Sequence, residues 1–106
     1  MNGIKLSVVI PCYKAEKMIA AVVDETISAL STRPEYEYEI ILINDGSTDK
    51  TWEEIEQLAR ENTRIKSINL ARNFGQHAAL MAGYRAVTGD KTNKCFTQYI
   101  KNESGT

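Results

Sequence analysis

Residues 37–49 read EYEIILINDGSTD, and this stretch decides the fold. Its nearly continuous apolar run, Ile40-Ile41-Leu42-Ile43, lacks polar alternation and implies a strand buried on both faces. Such strands belong to parallel sheets covered by helices. The run ends in Asp45-Gly46-Ser47-Thr48-Asp49, a cluster of turn-forming residues. Thr51, with Glu54 three residues on, fits a capping box for a following helix.

Upstream, Ile4 to Ile10 (IKLSVVI) is β-branched and predicts a first strand, closed by Pro11, which has no N–H for a sheet ladder. From Glu16 to Leu30, residues Met18, Ile19, Val22, Val23, Ile27 and Leu30 recur at helical spacing. Ser31-Thr32-Arg33-Pro34 breaks that helix. Downstream, Trp52, Ile55, Leu58 and Ala59 mark one face of a helix ending near Asn62, and Ile65 to Leu70 is a short strand. Ala71 to Gly75 is a loop, and Gln76 to Thr88 a small-residue helix that Gly89 terminates. The sum is βαβαβα: an α/β class, three-layer α/β/α, Rossmann-like parallel sheet with right-handed crossovers.

The pattern lapses after Asp90. Lys91 to Thr106 (KTNKCFTQYIKNESGT) holds one short candidate strand, Cys95 to Ile100. The expected organisation is therefore a nucleotide-binding half-domain over 1–90 and a divergent tail over 91–106.

Composition bounds the function. The chain has 106 residues, 42% hydrophobic and 25% charged, the size and make-up of one small globular domain. Thirteen Lys+Arg against fourteen Asp+Glu leave no excess positive field, which argues against nucleic acid as a partner. No apolar run approaches the ~20 residues of a membrane-spanning helix. The N-terminus enters strand-like sequence directly, so no signal peptide is expected. Cys12 and Cys95 have neither disulfide-framework nor metal-site spacing, and read as buried hydrophobes in a reducing compartment. A cytoplasmic domain is expected.

In open α/β sheets, ligands sit beyond the carboxyl ends of the strands, so the loops at 11–16, 45–50 and 71–75 are the places to look. Asp45 ends a buried strand and can accept the ring N–H of a base such as uracil or guanine; D-G-S-x-D is equally common helix-cap chemistry. Gly46 permits φ > 0, and Ser47 or Asp49 can cap the next helix. Tyr13, after the rigid Pro11, can lie against a base face or be an ordinary half-buried tyrosine. Arg72 can neutralise a phosphate beside a helix N-terminus, or be a solvated charge. His77, alone among alanines, reads as structural. No G-x-G-x-x-G follows a strand, and the chain contains no phosphate-binding G-x-x-x-x-G-K-[ST], no G-x-S-x-G elbow and no paired Cys/His ligands.

Taken in order, SVVIPCYKAEKMI, EIILINDGSTDKTWEEI and NLARNFGQHAALMAGYRAVTGD resemble the N-terminal half of the family 2 glycosyltransferases with the A-type (GT-A) nucleotide-binding fold. RNFGQHAALMAGYRAVTGD is similar to the branch that moves sugars from nucleotide donors to polyprenyl phosphate. The resemblance implies an inverting transferase using a UDP- or GDP-sugar, with Pro11 and Tyr13 bordering the nucleoside, Asp45 on the base, and Gly46 in the same loop. Glu16 matches the acid that closes the first motif, while Lys14 stands where Asn is usual. Arg72 and Gly75 match the third motif. The resemblance also implies that the first strand is flanked by the second and fourth.

Intact members hold Mg²⁺ or Mn²⁺ on an Asp-x-Asp after the next strand. This chain has no aspartate beyond Asp90 and only Glu103 among later acids, so no metal and no catalytic base are expected on it. The expectation is a chain inactive alone, at the cytoplasmic membrane face if part of a larger protein. An alternative from another class is a non-catalytic nucleotide-binding module that self-associates through an open edge of the first strand. A phosphoacceptor receiver domain would need an acidic cluster in the first loop, which offers only Glu16.

Overall fold

The computed structural model describes residues 5–86, 94–97 and 100–101. Strand β1 (Lys5–Tyr13) pairs in parallel with β2 (Glu37–Asp45), in register from Lys5↔Glu37 to Cys12↔Asn44. β3 (Ile65–Leu70) pairs in parallel with the far side of β2, from Ile40↔Ile65 to Asp45↔Leu70. β4 (Lys94–Thr97) lies parallel to β1 on its other side, and the two-residue β5 (Ile100–Lys101) continues that side at Cys12 and Tyr13. The order β3-β2-β1-β4 is the one the resemblance implies.

Helices α1 (Ile19–Ser31) and α2 (Thr51–Glu61) cover one face of the sheet, and α3 (Gln76–Ala86) covers the other. The change of face follows from handedness: after β3 the chain returns past β2 to reach β4, and a right-handed crossover in that direction passes over the opposite side.

The double burial read from residues 40–43 is present residue by residue. Ile40 and Leu42 meet Val8, Ile10, Ile19, Val23 and Ile55 beneath α1 and α2. Ile41 and Ile43 meet Val9 and Ala79 beneath α3. All four β2 residues are fully buried, each worth about 1.5–3 kcal/mol of transfer free energy. The small residues of α3 let it lie close: a Cβ on Gly83 would come 2.3 Å from Val9 Cγ1 and 2.7 Å from Ile43 Cδ1. At the amino end of the same face, Ser7 Oγ donates to buried Glu39 Oε2 at 2.6 Å, and Lys66 Nζ reaches Oε1 at 2.8 Å. These contacts join β1, β2 and β3.

Four expectations change. Pro11 does not close β1, which runs on to Tyr13. It falls between the stretches of β1 that pair with β4 and with β5, where a missing donor is tolerated. The first helix starts at Ile19 rather than Glu16, because the preceding turn is clasped to the loop before α2. Thr51 does not cap α2 from outside but is its first residue, and Asp49 accepts the Thr51 N–H at 3.0 Å. The edge of β1 expected to stay open is occupied by β4 along Leu6–Val9. The reason is in the tail sequence: Cys95-Phe96-Thr97 favours extended backbone, and pairing satisfies ladder groups of a strand whose core is buried. The predicted stop at Gly89, Asp90 and Glu103 lie outside the described residues.

Candidate functional site

Three loops meet beyond the carboxyl ends of β1, β2 and β3, with the loop after β2 in the middle. On one side it clasps the loop after β1. The Lys14 N–H donates to Ser47 Oγ at 2.9 Å, the Ala15 N–H to Thr51 Oγ1 at 2.9 Å, and the Lys50 N–H to Glu16 Oε1 at 3.2 Å. The Thr51 hydroxyl in turn donates a hydrogen bond to Asp49 Oδ1. Burial acts to raise the Asp49 pKa, but the Thr51 hydroxyl and N–H, with the N–H groups of Glu16 and Asp49 itself, outweigh it and hold this carboxyl below its ordinary range.

On its other side the central loop holds the loop after β3. Asp45 is fully buried; its Oδ1 accepts the Phe74 N–H at 2.9 Å and its Oδ2 the Asn73 side-chain amide at 3.1 Å. The same amide also donates to the Asp45 carbonyl at 3.1 Å. Gly46, at φ +70°, sits so close to this loop that a Cβ would lie 2.0 Å from the Arg72 carbonyl carbon and 2.1 Å from the Asn73 nitrogen. Only glycine fits both the dihedral and the space. Gly75, at φ +93°, opens α3, its carbonyl accepting the Ala79 N–H at 3.1 Å.

The structure thus brings together Tyr13, Glu16, Asp45, Gly46, Arg72 and Gly75 on one rim. Pro11 is buried beneath it in β1. Arg72 and Phe74 are exposed, the guanidinium carbon 4.8 Å from the ring centroid. Lys14 has φ 52°, and its ammonium lies 5.4 Å from the Tyr13 ring centroid. His77 is exposed and outside this network.

Sequence reasoning passed over Asn44, Asn69 and Asn73 as partners, and Ser47, read as a candidate helix cap, instead receives the Lys14 N–H. Asn44 donates to Asn69 Oδ1 at 2.8 Å and accepts the Ser47 N–H at 3.1 Å. The available signal was positional: Asn44 and Asn69 stand in register one residue before the ends of neighbouring strands, and an amide there can satisfy loop backbone. Beside them a cavity of about 400 Å³ is lined by Ser47, Thr48, Asp49, Trp52, Glu53 and Asn69, among others.

Cys12 is no nucleophile. Burial pushes its thiol up to about 12, and the S–H donates to the Ile10 carbonyl at 3.3 Å. Among the described residues no three His, Cys, Asp or Glu side chains come together, and Asp45, Glu16 and Asp49 each accept N–H donors. No described helix is long and apolar enough to cross a membrane.

With this geometry in hand, similarity to known proteins has a physical meaning. A model of glycosyl transferase family 2 matches residues 7–100. The undecaprenyl-phosphate 4-deoxy-4-formamido-L-arabinose transferase of Photorhabdus laumondii is 44% identical over 87 residues, covering 81% of this chain and 26% of that protein. The chain therefore spans about a quarter of this curated relative. Among solved structures, the mannosyltransferase PcManGT of Pyrobaculum calidifontis, in complex with GDP-Man and Mn²⁺, superposes with a TM-score of 0.70 at 20% identity. That match covers 84% of this chain and 26% of the other. S. aureus TarS gives 0.62 at 24% identity, over 92% and 16%. These two likenesses establish the fold, the first part of a GT-A transferase domain. The family model runs through β4 and reaches β5, so the strand beside β1 falls within the match. Matched over nearly its whole length, and folded as the match requires, the chain belongs to glycosyl transferase family 2.

Proposed function

We propose that this chain is the nucleotide-gripping part of an inverting transferase that takes sugar from a UDP- or GDP-sugar and delivers it to polyprenyl phosphate. The observation that carries the reading is the double clasp of the loop after β2, with buried Asp45 at its centre. The donor class is supported by the GDP-Man in PcManGT, and the acceptor class by the name of the Photorhabdus relative.

In this reading the ring N–H of the base replaces the Asn73 amide on Asp45, since the amide of an exposed residue stands where a ligand donor would enter. Tyr13 offers its ring to the base, a contact worth about 1–3 kcal/mol. Pro11 backs it, and Gly46 and Gly75 shape the rim. Arg72 and the α3 N-terminus face the phosphates. Glu16 holds the first loop in place by receiving the Lys50 N–H. Mg²⁺ or Mn²⁺ serves the family by offsetting leaving-group charge. In this reading the described residues grip the nucleotide, the chain alone transfers no sugar, and its place of work is the cytoplasmic membrane face. The self-associating alternative loses its motive now that β4 lies along β1.

Titration of UDP and GDP, with and without Mn²⁺, tests the reading. Metal-independent binding that Asp45→Asn weakens about tenfold, with the fold retained, supports it. Absence of nucleotide binding, or metal-dependent sugar transfer by this chain alone, refutes it.

A further inference from the structure

Lys14 is the one non-glycine among the described residues with positive φ, at 52°. Lysine gains nothing from that region, which favours glycine and asparagine. Backbone held in this way marks a place where the surroundings over-determine the chain. Here the restraint is visible: the Lys14 N–H is bound to Ser47 Oγ and the next N–H to Thr51 Oγ1. The turn aims the lysine side chain back over Tyr13, with the ammonium 5.4 Å from the ring centroid.

Arg72 repeats the arrangement across the central loop. Its guanidinium rests on Phe74, and its backbone packs against Gly46. Consecutive residues 46 and 47 therefore touch the two cation-bearing residues, one on each side. Both side chains are exposed, and among the described residues neither has a carboxylate within ion-pair distance. The acids nearby, Asp45, Glu16 and Asp49, accept N–H groups instead. Two positive groups resting only on aromatic rings, over a turn, suit a ligand with two adjacent negative groups. Stacking of this kind at an exposed site is weak enough for an anion to displace.

We propose that Lys14 and Arg72 form a two-cation clamp for the diphosphate of the nucleotide, acting without a metal ion, with Lys14 as the residue that distinguishes diphosphate from nucleoside. This rests on the nucleotide-binding reading above and adds to it a named phosphate ligand in the first loop.

Calorimetric titration of the full chain in EDTA tests it, using GDP and UDP, guanosine and uridine, and inorganic pyrophosphate. Lys14→Asn is expected to weaken GDP, UDP and pyrophosphate about tenfold, the scale of one charge-assisted hydrogen bond. Guanosine and uridine affinity should be unchanged, and the salt dependence of diphosphate binding reduced. Lys14→Arg should retain most of the affinity. Asparagine is at home at φ 52°, so Lys14→Asn should melt no lower than the parent, which separates lost charge from lost fold. Diphosphate binding unaltered in Lys14→Asn overturns the clamp while leaving the nucleotide reading intact. Pyrophosphate binding that depends on Lys14, without nucleoside binding, supports the clamp and overturns base recognition. Failure of every probe to bind overturns both.

Discussion

Gly46 and Arg72 are in backbone contact: a single added carbon on the glycine would fall 2.0 Å from the arginine carbonyl carbon. The loops after β2 and β3 are therefore fitted main chain to main chain, and the rim depends on an absent side chain. Gly46→Ala combines a left-handed dihedral, about 1–2 kcal/mol, with an overlap that backbone must relieve, about 1–3 kcal/mol more. We expect about 2–5 kcal/mol lost in urea unfolding, together with nucleotide affinity.

Gly83→Ala tests the other close approach. Helix propensity alone favours alanine by about 1 kcal/mol. The new methyl would lie 2.3 Å from Val9 Cγ1, on a stiff, fully buried side chain. Overpacking of this kind costs about 1–3 kcal/mol, so the net change should be destabilising. Adding Val9→Ala should recover part of the loss in a double-mutant cycle, and nucleotide affinity should be little altered.

Asp49 makes the clasp acid-sensitive. Its folded pKa lies below the unfolded value of about 3.9, so its contribution is complete above that value. It is lost as pH falls through the folded pKa. In melting temperatures recorded from pH 6 downward, the parent should lose more than Asp49→Asn below about pH 4. Equal slopes would contradict the assignment.

Cys12 gives the opposite sign. With a folded pKa of about 12 against about 8.5 unfolded, its contribution is present below the unfolded value and lost as pH rises past it. Iodoacetamide at pH 8 should leave Cys12 unmodified in the native chain and label it in urea, read by peptide mass. Native labelling at Cys12 would show the strand end to be open.

What periodicity could reveal, it did. The unbroken Ile40–Ile43 run carries double burial in its own pattern, and Ile65–Leu70 is bounded as read. The placement of Asp45 and Gly46 at the carboxyl end of β2 was legible from the buried run before them, although D-G-S-x-D by itself fits a helix cap equally well. Lys14, Thr51 and Asn73 were not, because their partners lie 33, 36 and 28 residues away. A capping box is a local pattern, and Thr51 gives its hydroxyl instead to Asp49 and the Ala15 N–H. Pro11 misled for a related reason: whether its missing N–H matters depends on the strand beside it, which arrives some 80 residues later.

The loops after β1 and β3 reach the central loop from opposite sides of the sandwich, because α1 and α3 cover different faces of the sheet. A guest seated across all three rivets one helical shell to the other through the strand tips. Occupancy would then be felt far from the mouth, as slower peeling of either shell, and heat would have to evict the guest before the two halves part.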